Sequence, residues 1–447
     1  MDSLILGSVA AIALLLGLAL DKRVGFAILI AEIPLMSSAV FKFITTQVVF
    51  LVIVILGIFL HIVVKGDVII INRRFIPLLI FCMYVTIHIV IWLLEDPTIA
   101  GLNLLVYYWS LFIFAILLRT LIPLSLQDLA NEIARWLAIG LVVYWILIIV
   151  LFIIAPENVS LIGEFGIIRL LGLGGTHPAY TASFVPFMFA LGLYFMTSTP
   201  KNILLGVSLL VIMVVSIIAT ASRAGLVSVG ITLSLLIIYL KHLRLRILFC
   251  ILICIFIFVF FISRIEEHRI EYFTTIMTTD LSEVKLGSRL FEYQASKDLF
   301  LSHPLFGTGL GKFRLLALPL MLYYADRIKP GYSLAVLKSM ENAPFSVNST
   351  YLFYLVQTGV IGFGLFAYLV LYATRKLARL RRSNSAPAWD FLFVGWLGFL
   401  LHLMVVQGFI HPLLWFIIAL SYNLPSYKSA RHEWRTHQGA SCYSEKA

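Results

Sequence analysis

Apolar runs of roughly 17–25 residues, the length needed to cross a bilayer's hydrocarbon core, recur from one end of this sequence to the other. No single water-soluble core can absorb that many uninterrupted apolar segments. The composition agrees: of 447 residues 61% are hydrophobic and only 12% charged, where soluble domains carry about a quarter. The mean hydropathy is +1.02. The fold class expected is an all-α polytopic membrane protein. Candidate spans are 3–20, 24–41, 46–64, 75–94, 101–118, 137–155, 181–197, 202–221, 224–240, 246–263, 348–373, 388–406 and 409–424, about twelve or thirteen transmembrane helices. The first run has no basic leader ahead of it and no small-residue cleavage site before Asp21-Lys22-Arg23, so it reads as a retained span.

The net charge of +11 becomes informative once it is placed along the chain. Arg73 and Arg74, Lys201, Lys241 with Arg244 and Arg246, and the dense run from Arg375 to Arg382 fall in alternate connections. Positive charge marks the cytoplasmic side, so those loops read as inside, as does the tail with Lys428, Arg431 and Arg435. By parity the N-terminus then lies outside, unless one of the first two spans is re-entrant. The amphipathic stretch from Ser125 to Trp136 is expected along the cytoplasmic interface. The outward set contains Glu95-Asp96-Pro97, the segment 156–180, the break at Ser222-Arg223 and the long insert 264–347. That insert carries Phe, Tyr, Leu and Met throughout, too apolar for a disordered linker. An ordered, partly helical cap between two late spans is expected. The organisation is a bundle of about ten spans over 1–263, the cap over 264–347, further transmembrane helices over 348–426 and a cytoplasmic tail over 427–447.

Two arginines stand out. Arg223 in "ATASRAGLVS" lies at the outer end of a span among small residues. An arginine at such depth faces a cavity or an anionic partner, or snorkels to the interface, and small neighbours would let a bulky ligand approach. Arg289 opens an amphipathic stretch, "SRLFEYQASKDLFLSHPLFGTGLG". The glycines at 307, 309 and 311 lack the lysine and hydroxyl ending of a phosphate-binding loop. His177 and His303 face outward, while His402 and His411 lie in the last apolar region. Cys82, Cys250, Cys254 and Cys442 form no pair and no zinc spacing. No Asp-x-Asp occurs in the outer loops, so no metal is expected to be held there by paired carboxylates. At "FSVNSTYLFYLVQTGVIGFGLF", Asn348, Ser349 and Thr350 stand at the lip of a span, and Gly359 and Gly362 read as a close helix-packing face.

The order of these elements, "SRAG", then "SRLFEYQASKDLFLSHPLFGTGLG", then "VNSTYLFYLVQTGVIG", resembles the O-antigen ligase and O-antigen polymerase superfamily over roughly residues 160 to 385. The resemblance implies a bacterial inner-membrane glycosyltransferase with its active site facing the periplasm. It would move a glycan from an undecaprenyl diphosphate carrier to an acceptor hydroxyl, with inversion and without metal or cofactor. Arg223 and Arg289 match the family's two arginine positions. A guanidinium suits a diphosphate leaving group because its planar fork bonds two oxygens and stays charged. The ligases' motif opens with histidine, and here that position is Asn348, with the nine-residue gap from Ser349 to Gly359 kept. An amide can position a hydroxyl but cannot take its proton, so His303, His177 and Glu341 become the outward-facing candidates for a base. Ser222, Ser349, Tyr351 and Glu341 complete the substrate-contacting set. The asparagine tilts the reading toward a repeat-unit polymerase over a ligase to lipid A core. The partners implied are the lipid-linked donor, a glycan or lipid A core acceptor, the bilayer and a chain-length regulator, with no nucleic acid. The rival is a transporter of lipid-linked oligosaccharide or solute, which should show internal repeats or spans broken in matching halves.

Overall fold

The structure, a computed structural model, describes residues 3–36, 44–66, 73–95, 99–122, 126–155, 160–162, 168–170, 178–198, 200–220, 222–240, 252, 287–328, 349–382, 386–406 and 411–424. The apolar runs become helices. They are α1 (Ser3–Leu20), α2 (Lys22–Met36), α3 (Ile44–Lys65), α4 (Ile76–Glu95), α5 (Ile99–Leu121) and α6 (Leu126–Ile154). A two-stranded antiparallel pair, β1 (Ser160–Ile162) with β2 (Ile168–Leu170), follows, with Leu161 opposite Arg169. The short α7 (Pro178–Thr181) and a 3₁₀ turn, Ala182–Phe184, lead into α8 (Val185–Ser198). Then come α9 (Ile203–Thr220), α10 (Arg223–Tyr239), α11 (Gly287–Ser302), α12 (Phe313–Ile328), α13 (Thr350–Arg382), α14 (Ala388–His402) and α15 (Pro412–Asn423). The chain is an all-α polytopic membrane protein. The span expected over 246–263 lies outside the described residues, apart from Leu252.

By length and composition α4, α5, α6, α9 and α13 can each cross a membrane, and α8, α10, α14 and α15 are shorter apolar helices. The stretch Ser125 to Trp136, expected along the interface, instead runs unbroken into the next span as α6. Nothing in it stops a helix: no proline or glycine intervenes before Gly140. Gly140 is needed within α6, because a Cβ there would strike the Ala31 backbone of α2. The C-terminal helices complete the N-terminal bundle: α14 packs on α8 and α10, and α15 on α5. One apolar core therefore includes residues from Leu14 to Leu424.

The two ends of the bundle differ. At one end Arg381 pairs with Asp390 at 2.9 Å and lies 4.3 Å over the Tyr239 ring. That gathers the end of α10, the end of α13 and the start of α14. At the other end Lys312 pairs with Glu95, joining the segment between α11 and α12 to the end of α4. The Lys312–Glu95 pair joins two segments that the charge pattern places on one side.

Candidate functional site

α13 is two limbs. Gly359 has φ 65° and ψ −172° inside an otherwise helical run, a left-handed conformation that glycine alone adopts without strain. The Tyr354 and Phe366 rings stack with centroids 4.0 Å apart. On a continuous helix, residues twelve apart would be separated by about 18 Å along the axis. The limb 350–358 is therefore folded against the limb 360–382. The second limb alone is about 34 Å long, enough to span a bilayer. Gly359, expected as a packing position, is the apex of this fold. Gly362 does pack closely, with a Cβ there coming 2.6 Å from the Tyr84 ring.

A break in a buried helix frees carbonyls and amides that must find partners. Here the turn "HPLFGTGLG" supplies them. The amides of Thr308 and Gly309 donate to the carbonyls of Val356 and Gln357 at 2.9 and 3.0 Å. In return the amides of Val360 and Ile361 donate to the carbonyls of Pro304 and Leu305 at 2.9 and 3.3 Å. The Tyr84 hydroxyl takes the Thr358 carbonyl at 2.7 Å, and the Gln357 side chain accepts from the Gly311 amide at 2.8 Å. Gly307 (φ 73°) lies so close that a Cβ would come 2.5 Å from the Gln357 carbonyl carbon. A Cβ on Gly311 would meet the Trp92 ring at 2.6 Å. The two glycine motifs, some fifty residues apart in sequence, form a single structural unit.

On the folded-back limb Ser349 and Thr350 are both buried. The Thr350 amide donates to the carbonyls of Leu403 and Val406 at 3.0 and 3.1 Å, and its hydroxyl donates to Val406 at 2.8 Å. Ser349 caps the limb by accepting from the Leu352 amide. The Tyr351 hydroxyl donates to the Leu400 carbonyl at 2.9 Å. The same end of α14 holds α10. His402 Nδ1 lies 2.6 Å from the Ser228 hydroxyl, which itself donates to the Ala224 carbonyl. With that proton committed, Ser228 accepts from the His402 Nδ1–H. Ser222 caps α10 by accepting from the Gly225 amide at 3.2 Å. Gly225 is pressed against Ala182. Of the small residues around Arg223, Ser222 and Gly225 thus serve capping and packing within the bundle.

His411 closes the bracket. Its Nδ1 accepts from the Leu413 amide and its Nε2 lies 2.7 Å from the Ser183 hydroxyl, which fixes a neutral tautomer donating through Nε2. Its ring lies tilted against Tyr180 with centroids 4.6 Å apart and is fully buried, so it is a structural histidine. Residues 403–406 are non-helical backbone between two short helices, with Leu403 and Val406 buried and Met404 exposed. At membrane depth such backbone survives only inside protein or along a cavity.

The backbones of Arg223 and Arg289 stand in the first turns of α10 and α11; their side chains lie outside what the structure describes. Asn348, His177 and Glu341 also lie outside the described residues, Asn348 directly before Ser349. His303 is exposed just past the end of α11, with Nδ1 2.9 Å from the Ser302 hydroxyl. About 20 Å of helix separates it from Arg289. The arrangement thus brings the starts of α10 and α13 to one bracket and leaves His303 at the far end of α11 from Arg289. α11 itself is fixed to α12 by the Tyr324 hydroxyl donating to Asp298, and that bond to the carboxylate raises the Tyr324 pKa. Sequence reasoning passed over Glu32, a buried carboxylate two residues before Pro34 in α2. Its signal was an acidic residue inside an apolar run. Among the described residues no group of three His, Cys, Asp or Glu side chains could hold a metal.

The family model described as O-Antigen ligase matches residues 208–367. The matched segment runs from α9 through the fold of α13 and includes both arginines, the glycine turn and the Asn348 motif, in agreement with the superfamily that these motifs resemble. No curated protein matches the chain.

Proposed function

We propose that this chain is a membrane glycosyltransferase of the O-antigen ligase and polymerase type that transfers a glycan from an undecaprenyl diphosphate carrier. The observation that supports it best is the bracket at the end of α14. His402 ties down α10, whose first residue is Arg223, and Leu403 and Val406 tie down the limb that begins beside Asn348. The backbone of Arg223 and that of Ser349, the residue after Asn348, thereby belong to elements held by one segment, and in this reading Arg223 serves the leaving group and Asn348 the acceptor. The family match over the same residues gives that pairing a chemistry.

In this reading the acceptor hydroxyl attacks the anomeric carbon, the bond to the carrier's diphosphate breaks, and the configuration inverts. Arg223 and Arg289 meet the charge that develops on the diphosphate oxygens. Fixed donors aimed at developing charge are typically worth about 10²–10³ in rate each. Asn348 orients the hydroxyl, and the Ser222 and Ser349 hydroxyls, which accept as caps, keep their protons to donate. The proton passes to a group other than Asn348. His177 and Glu341 are the residues to test first, because His303 and Arg289 are too far apart to share one reacting centre. The segment 264–347 is the periplasmic cap, 348–426 the C-terminal transmembrane helices and 427–447 a cytoplasmic tail. The enzyme works in the bacterial inner membrane, needs no metal or cofactor, and joins repeat units more readily than it charges lipid A core.

The test is reconstitution in liposomes with a lipid-linked glycan donor, following released undecaprenyl diphosphate and product length. Arg223→Ala and Arg289→Ala should each lower transfer at least about 100-fold with insertion unchanged, and EDTA should not matter. A ladder of lengths identifies a polymerase, and a single addition to lipid A core a ligase. Donor crossing the bilayer without any transfer would replace this reading with the transporter.

A further inference from the structure

The turn between α11 and α12 has a height that can be measured along α4. Lys312 pairs with Glu95, the last residue of α4. Gly311 lies one turn lower, against the Trp92 ring. Lower still, the Tyr84 hydroxyl donates to the Thr358 carbonyl, and a Cβ on Gly362 would strike the Tyr84 ring. The adjoining amides of Val360 and Ile361 bond the carbonyls of Pro304 and Leu305, so the bottom of the turn stands near the level of Tyr84. Tyr84 precedes Glu95 by eleven residues, about 16 Å of helix. The 20 residues of α4 contain no Asp, Glu, Lys or Arg before Glu95, and their length of about 30 Å is that of a bilayer's hydrocarbon core. On the other flank α11 carries Glu292, Lys297 and Asp298, charges that hydrocarbon excludes. Asp298 accepts from Tyr324 of α12, so both flanks of the turn are held together on one side.

The side chains of the turn fit that depth. Leu301, Leu305 and Phe306 are 62%, 60% and 60% exposed, a large apolar patch for a loop in water. Val360 and Ile361, whose amides bond the turn, are exposed as well, as are Met83 and Ile87 beside Tyr84 on α4. Non-helical backbone at membrane depth must be paired. The carbonyls of His303, Pro304 and Leu305 accept from the amides of Gly307, Val360 and Ile361. We infer that residues 301–311, inside the segment read as a cap outside the membrane, form a re-entrant turn whose Leu301, Leu305 and Phe306 contact lipid acyl chains. Lipid is the occupant because the patch continues the exposed faces of α4 and α13, both long and apolar enough to cross a membrane. The turn is independent of the transfer chemistry. For that chemistry it ties α11 to the bilayer, with Arg289 at most about 18 Å of helix from Leu301.

Spin labels on the full-length protein in dioleoyl phosphatidylcholine nanodiscs test the inference. They are placed one at a time on a background with the native cysteines replaced, at exposed positions so that folding is spared. Labels on Leu305→Cys and Phe306→Cys should collide with dissolved oxygen as often as the label on Met83→Cys. With a water-soluble nickel chelate they should collide at least about tenfold less often than the label on Lys201→Cys, because hydrocarbon excludes the polar complex. Nickel collisions equal to those at Lys201 would overturn the re-entrant turn. Low collision rates with both reagents would show a covering protein surface and overturn the lipid contact. The unaltered protein answers the same question without a substitution. In nanodiscs of phosphatidylcholine with a diazirine at the acyl terminus, irradiation should leave an adduct on the peptide holding Leu301 to Phe306. Its absence there, with the Val360–Ile361 peptide labelled, would overturn the inference.

Discussion

At the end with Ser222, Thr350 and His411, helices stop short, one is folded back on itself, and backbone groups are matched across elements. At the end with Arg74, Tyr239 and Arg381, helices run out regularly and side chains meet through rings and cations. Non-helical backbone inside a membrane bundle is costly unless every amide and carbonyl is paired. A chain keeps such an end where function needs groups aimed into the interior. The basic end needs no such arrangement, since charge and aromatic rings at an interface are satisfied by head groups and water. The difference teaches where substitutions should be unforgiving.

The largest effect, apart from the arginines, is expected at the fold of α13. Gly359→Ala places a Cβ against the Leu305 carbonyl at a positive φ, and Gly307→Ala does so against Gln357. Strain at such positions costs about 1–3 kcal/mol, and each lost buried hydrogen bond adds roughly 1–3 kcal/mol. Both variants should unfold several degrees earlier in detergent and lose nearly all transfer. If Gly359→Ala melted with the parent protein, the exchange of backbone bonds with the 304–309 turn would be wrong.

Next in size is His402. His402→Leu removes the donor to Ser228 and should lower kcat about 10- to 100-fold. His402→Asn keeps a donor close to the Nδ1 position and should recover most of the rate with the parent pH profile. A histidine acting as base would not be rescued by asparagine, so the pair of variants separates holding Arg223 in place from taking a proton.

Asn348→Ala should be milder, about tenfold lower in turnover without abolition, because positioning costs less than a lost base. A pH–rate profile of the parent protein adds to it. An inflection near neutrality that disappears in His177→Gln assigns the base to His177, and a profile flat between roughly pH 6 and 8 points to Glu341 or water. Full activity of Asn348→Ala would reduce this motif to a packing edge. The smallest effect belongs to the other end: Arg382→Gln should leave transfer within about twofold, since exposed single charges contribute little.

Much of this was legible in the chain itself. Hydrophobic run length sets helices because the bilayer leaves few other ways to pair a backbone, and α1, α3, α4 and α9 fall within a few residues of the runs that announced them. The alternation of basic loops agrees with two contacts, Lys312 with Glu95 and Arg381 with Asp390, since a charge position is local information. The fold of α13 was not legible. "VQTGVIG" is compatible with a straight helix, and only the turn 304–309, brought alongside by tertiary packing, makes the break affordable for Val356 and Gln357. Nor could the sequence tell that Ser228 and His402, or Thr350 and Val406, would meet. Hydropathy and spacing determine which segments enter the membrane. Which buried polar atom answers which depends on distances across the bundle, and only the tertiary structure decides that.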